Sequence, residues 1–154
     1  MLTVYVWIPQ TKTSLGHASM KVSPKNREFD RGIDISDTYI SWWPQKPGPM
    51  SVAWVVPKGV AHTYLEDVSE EGKLPDWQVN IYTLDEMKIK SYWYDVKCDL
   101  DAHWQAEFKN CATIVGRALR KGGGPFYLGD NVIWTPREVR TYACLIAAEE
   151  KVCQ

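Results

Sequence analysis

Nowhere in the 154-residue chain is there a run of 18 apolar residues, so no membrane-spanning helix and no stable membrane insertion are expected. Nor is there an excess of charge. Eighteen Lys and Arg stand against nineteen Asp and Glu, a net −1, which gives neither a basic field for nucleic acid nor an acidic tail. The four cysteines, Cys98, Cys111, Cys144 and Cys153, contain no C-x-x-C pair, and His17, His62 and His103 complete no zinc pattern. No metal or cofactor is therefore expected. An even cysteine count permits disulfides, but a chain long enough to bury a core does not require them. Gly122–Gly124 follow an apparent helix instead of opening one, and no Lys-Ser/Thr pair comes after them, so they form no phosphate loop. The first residues, MLTVYVWIPQ, lack the positive flank and apolar length of a secretory signal, so classical export is not expected from them. Repeats and low-complexity segments are lacking too, and the reading is one domain over residues 1–154.

What is there is an early set of strands followed by helices. LTVYVWIP alternates and is rich in β-branched and aromatic residues, which predicts a strand. GHASMKV and DTYISWWP read as two more, the second ended by Pro44, and MSVAWVVP as a fourth between prolines. Residues 57–78 read as a long loop, and WQVNIYTL as a fifth strand. Thr83 and Glu86 have the spacing of a capping box ahead of a short helix, LDEMKIKSYWY. Asn110 caps the next helix, where Ile114, Val115, Ala118 and Leu119 share one face. Arg117, Arg120 and Lys121 suit its C-terminal half, and Gly122 can end it in the left-handed conformation. The last helix is announced by Thr135 as cap, Pro136 at the first helical position and Glu138 closing the box, with Val139, Tyr142, Ala143 and Ile146 as its apolar side. The fold class is α+β.

Cys111 stands at the first turn of its helix. There the positive end of the helix dipole and free backbone N–H groups favour a thiolate, and the same N–H groups can receive an oxyanion when a thiolate attacks a carbonyl. A packing role is the competing reading, because free cysteine is among the most buried residue types. A thiol nucleophile needs an imidazole within hydrogen-bond reach. His17 opens an apparent strand after a glycine, whereas His62 and His103 lie in stretches read as loops, and a site histidine belongs on a rigid element.

GHASM in an early strand, then YISWWP, then NCATIVGRAL in a late helix together resemble a circularly permuted papain-like fold. The relatives in view are the NlpC-type wall peptidases and amidases and their permuted cousins, including lecithin:retinol acyltransferase. NCAT, GGG and WTPREVRTYA are similar to segments of papain-like effector toxins of bacterial type VI secretion. The resemblance covers about residues 3–147. It implies an antiparallel sheet packed against a cysteine-bearing helix and a C-terminal helix, Cys111 as nucleophile and His17 as base. The third group falls on the strand after the histidine, best at Ser41. Asp37 and Gln45 are rivals, and serine departs from the family's usual choice. It also implies a thiol hydrolase of amide bonds acting on peptidoglycan stem peptides as an antibacterial toxin. The chain would be made in the bacterial cytoplasm, delivered to a target-cell periplasm by a specialised system, and met by an immunity protein.

Acyl transfer from a lipid on the same dyad, a protease acting on a host protein, and a non-catalytic binding module with Cys111 merely packed remain open at this point. Eight tryptophans are many for this length, and Trp42 and Trp43 alternate across one strand, so one is expected in the core and one on the other side. Lys21, Lys25, Arg27 and Arg31 make the early loop basic, which reads as a solvated face or a contact for an anionic polymer.

Overall fold

A computed structural model of the chain describes residues 1–9, 15–23, 38–45, 57–100, 102–106, 109–125 and 134–152. Alternation in the first strand organises it. In β1 (Leu2–Trp7), Leu2, Val4 and Val6 point to one side and Thr3, Tyr5 and Trp7 to the other. β2 (His17–Val22) pairs antiparallel with it, Val4 opposite Met20 and Trp7 opposite His17, so the same division runs on into β2. β3 (Thr38–Ile40) lies outside β2, and β6 (Trp77–Ile81) lies on the other side of β1, giving the sheet order β3-β2-β1-β6.

Leu2, Val4, Val6, Ala18, Met20, Val22, Ile40 and Ile81 form one apolar layer, each at most 1 % exposed. Two helices cover it. α3 (Cys111–Lys121) contributes Ile114, Val115, Ala118 and Leu119, and α4 (Pro136–Val152) contributes Val139, Tyr142, Ala143 and Ile146, the faces expected from their 3.6-residue spacing. Gly116 lets these helices close: a Cβ there would lie 2.6 Å from the Trp134 ring that precedes α4. The α4 start is capped as expected, with Thr135 N–H donating to Glu138 and Glu138 N–H to Thr135 Oγ1. Its far end is tied down by Glu150, whose carboxylate accepts from Tyr82 N–H, Thr83 N–H and the Thr83 hydroxyl.

The α+β class is as expected, and several elements differ. DTYISWWP is not one strand. It breaks at Ser41 into β3 and β4 (Trp42–Pro44), and β4 pairs with β5 (Gly59–Ala61) in a separate two-stranded ribbon. Residues 57–78 are not a loop, because they hold β5, α1 (Tyr64–Glu71) and the start of β6. Thr63 and Glu66 make a reciprocal capping box for α1, and Gly72 ends it at φ 66°. The helix has no apolar stripe to announce it, since its inward residues include Tyr64 and Asp67. The helix after β6, α2 (Glu86–Cys98), is capped by Asp85, which accepts from Met87 and Lys88 N–H, and not by Thr83, whose groups are committed to Glu150. Glu86 instead contacts the amino group of Met1. Gly122 is right-handed at φ −72°, and Gly123, at φ 100°, carries the left-handed turn. The expected strand at MSVAWVVP, the basic loop residues Lys25, Arg27 and Arg31, Asp37 and Cys153 lie outside the described residues.

Candidate active site

His17 opens β2 and Cys111 opens α3, and the two starts meet at one end of the sheet. The turn into β2 needs Gly16. Its φ is 69°, and a Cβ there would come within 2.5 Å of the Trp7 carbonyl oxygen. The α3 start is fixed by Asn110, whose Oδ1 accepts from Thr113 N–H at 2.7 Å while its Nδ2 donates to the carbonyls of Ala106 and Trp134. His17, 1 % exposed, and Cys111 line the same cavity, close enough for their side chains to interact electrostatically. Cys111 itself is buried but reaches a cavity, whereas Cys98 and Cys144 are exposed, and all three are free thiols.

The residue that completes the arrangement is Asp67, on α1. Its Oδ2 lies 3.1 Å from His17 Nε2. Three alternate residues of the broken strand also reach it: Tyr39 OH donates to Oδ2, and Ser41 Oγ and Trp43 Nε1 donate to Oδ1, each at 2.7 Å. Ser41 does stand beside the imidazole, 3.1 Å from Nε2, as the resemblance implied for the third group. Its hydroxyl, however, serves the carboxylate, and the charge opposite His17 is that of Asp67. Gln45 is exposed and is not among the hydrogen-bond partners of His17. Reading residues 57–78 as a loop hides Asp67; the signal for it is the box T-x-x-E at Thr63–Glu66, which puts Asp67 on the next position of a helix.

The electrostatics follow from burial and these contacts. Burial opposes an imidazolium at His17, but a thiolate at Cys111 and the Asp67 carboxylate outweigh it and push the pKa up to about 9. Burial likewise opposes the Asp67 carboxylate, yet hydrogen bonds from His17, Tyr39 and Ser41 hold it below its ordinary range. For Tyr39, burial and the neighbouring Asp67 charge push the phenol upward, so it stays a donor. A carboxylate at Nε2 favours the tautomer with its proton on that nitrogen, which leaves Nδ1 as the basic nitrogen of the ring. A cavity of about 470 Å³ opens onto this pair. Leu15, Trp42, Trp43, Pro44, Trp104 and Pro136 give it mostly apolar walls, with Glu70 and Glu71 at one side.

His62 lies near as well. Its ring stacks on Trp43, and its Nδ1 is 3.7 Å from Asp67 Oδ1. His103 is exposed and pairs through its backbone with Lys58. Trp42 is in the core and Trp43 is half-buried on the other side, as alternation requires. Among the described residues no group of His, Cys, Asp and Glu could hold a metal ion, and no helix is long and apolar enough to cross a membrane.

A thiol and an imidazole on one cavity, with a carboxylate bonded behind the imidazole, have the makings of a nucleophile with its base and the orienter of that base. The chain belongs to the IcsB middle domain family, whose model matches residues 1–71 and 51–152. Over 82 residues it is 27 % identical to a multifunctional-autoprocessing repeats-in-toxin of Vibrio cholerae serotype O1, covering 50 % of this chain and 2 % of that protein. Over 76 residues it is 29 % identical to the toxin of that name from Vibrio vulnificus, covering 46 % and 1 %. The chain thus spans a very small share of these curated relatives. No solved structure matches it.

Proposed function

We propose that the chain is a cysteine-dependent acyl-group enzyme working through a covalent intermediate on Cys111. The observation that carries this reading is that Cys111 and His17 line one cavity, with Asp67 hydrogen-bonded to the imidazole behind it. Cys111 Sγ, as thiolate, attacks the carbonyl carbon of an acyl donor. The bond to the leaving group breaks as His17 gives that group its proton, leaving a thioester. Water or an amine then attacks the thioester, His17 takes the proton from the attacker, and the thiolate is restored. Asp67 remains ionised throughout and steadies the imidazolium. Backbone N–H groups at the α3 start other than that of Thr113, which Asn110 holds, would serve as donors for the oxyanion.

The apolar walls favour an apolar acyl group over an anionic one, because a negative charge placed there would lose its water beside the carboxyls of Glu70 and Glu71. Hydrolysis of peptidoglycan stem peptides is the second reading. It is supported by the resemblance to permuted papain-like wall amidases, and Glu70 and Glu71 on the cavity wall would suit the amino groups of such a peptide. The toxin relatives support a role as a bacterial effector. The test is to offer activated acyl esters of graded chain length and, separately, purified wall sacculi, and to look by mass spectrometry for an acyl adduct on Cys111 and for released fragments. Adducts that grow with chain length support the first reading. Release of muropeptides without chain-length dependence supports the second. If Cys111→Ala retains every activity found, the thiol mechanism is wrong.

A further inference from the structure

The contacts of Trp43 converge on the pair that does the chemistry. Its Nε1 donates to Asp67 Oδ1 at 2.7 Å. Its ring lies 4.4 Å from that of His17, centroid to centroid, at an interplanar angle of 31°. The same side chain walls the cavity. A further ring backs it, since His62 stacks on Trp43 at 5.3 Å and 17°, with its buried Nδ1 lacking a hydrogen-bond partner among the described residues.

One hydrogen bond leaves an imidazole free to swivel about the line joining Nε2 to its acceptor. Rotation about that line swings Nδ1 toward or away from the thiol. A flat ring against the face of the imidazole removes this freedom, and a donor on the same ring fixes the acceptor at the other end of the line. A residue that only packed against His17 would not need an N–H, and one that only served Asp67 would not need a broad ring.

We propose that Trp43 is a positioning residue that sets the plane of His17 against Cys111 and holds Asp67 in line with Nε2. The proposal rests on the Cys111–His17 reading above. Because Trp43 also walls the cavity, an acyl group bound there would press on the residue that orients the base.

The test measures alkylation of Cys111 by a neutral haloacetamide across pH, read site by site by mass spectrometry, beside thermal melting of each variant. His17→Ala defines the rate without the base. Trp43→Leu, lacking both ring and donor, is expected to lose the His17-dependent part of the rate and of the pH profile while still melting cooperatively. Trp43→Phe, keeping a flat ring without the N–H, is expected to fall between it and the wild type with the pH profile retained. Wild-type rates and profiles in both variants would overturn the proposal. So would a loss that only tracks a lowered melting temperature and leaves the His17-dependent pH profile in place, the signature of a merely structural role. Should Trp43→Leu fail to fold, Trp43→Phe decides, and an unchanged rate there counts against the positioning role. A His17→Ala rate equal to wild type would sink the underlying base reading instead, whatever the Trp43 variants do.

Discussion

The two faces of the sheet are built by the same alternation and are held together by different physics. On one, Val4, Met20 and Ile40 meet α3 and α4 in a layer of apolar packing. On the other, Tyr5, Trp7, His17, Ser19 and Tyr39 meet α1 through rings and hydrogen bonds: Tyr64 lies 5.0 Å from Tyr5, Ser19 Oγ is 2.6 Å from Tyr39 OH, and Asp67 gathers His17, Tyr39, Ser41 and Trp43. The first face tolerates small changes of shape but not of polarity. The second depends on each partner, because a buried charge left without one costs more than the pair contributes. Stability resides in one layer and the candidate chemistry in the other, and they touch where α3 delivers Cys111 to His17.

Substitutions that separate the layers sharpen that division. The largest effects on acyl chemistry are expected from Cys111→Ala, which should abolish it, and from Asp67→Asn, which should cost up to about 10⁴-fold through the wrong imidazole tautomer. His17→Ala should cost about 10²–10⁴-fold. Ser41→Ala should stay well above all three, since Ser41 serves the carboxylate and carries no charge; equal losses at Ser41 and Asp67 would return the third role to the serine. These are read as rates of acyl-Cys111 formation.

On the apolar face, Leu119→Ala should destabilise by about 2–5 kcal/mol in denaturant unfolding while leaving the pH dependence of Cys111 alkylation where it was. A shifted profile would show that the two layers are coupled more tightly than their contacts indicate. A smaller effect belongs to pH. His17 has a folded pKa raised from 6.5 to about 9, so its contribution to stability is fully present below about pH 6.5 and is lost as pH rises through about 9. Asp67 is depressed below 3.8, so its contribution is present above that value and lost as pH falls through the lower folded one. Melting temperatures should therefore show a His17-dependent decline on the alkaline side that disappears in His17→Ala. Smallest of all, Thr135→Ala should cost about 1 kcal/mol by removing the α4 cap, with no effect on the thiol.

The apolar layer was the legible one. β1, β2, β6, α3 and α4 declared themselves by period and by caps, because their side chains alternate between a core and something else. Cys111 and His17 could be paired from sequence, since one opens a helix and the other a strand. Asp67 was hidden because α1 turns tyrosine and carboxylate inward where hydrophobic periodicity looks for leucine, and because the strand that serves it is broken at Ser41. Tyr39, Ser41 and Trp43 do alternate, yet nothing in their own sequence indicates that a carboxylate 24 residues beyond Trp43 is what they share.

The central claim is that burial at this site coexists with reactivity. Competitive alkylation of the native protein, resolved by residue, tests it most directly. Cys111 is 9 % exposed while Cys98 and Cys144 are exposed. The account predicts that Cys111 is modified faster than either near neutral pH, and that this lead vanishes in His17→Ala. An order of reaction that simply follows exposure, unchanged by His17→Ala, would contradict it.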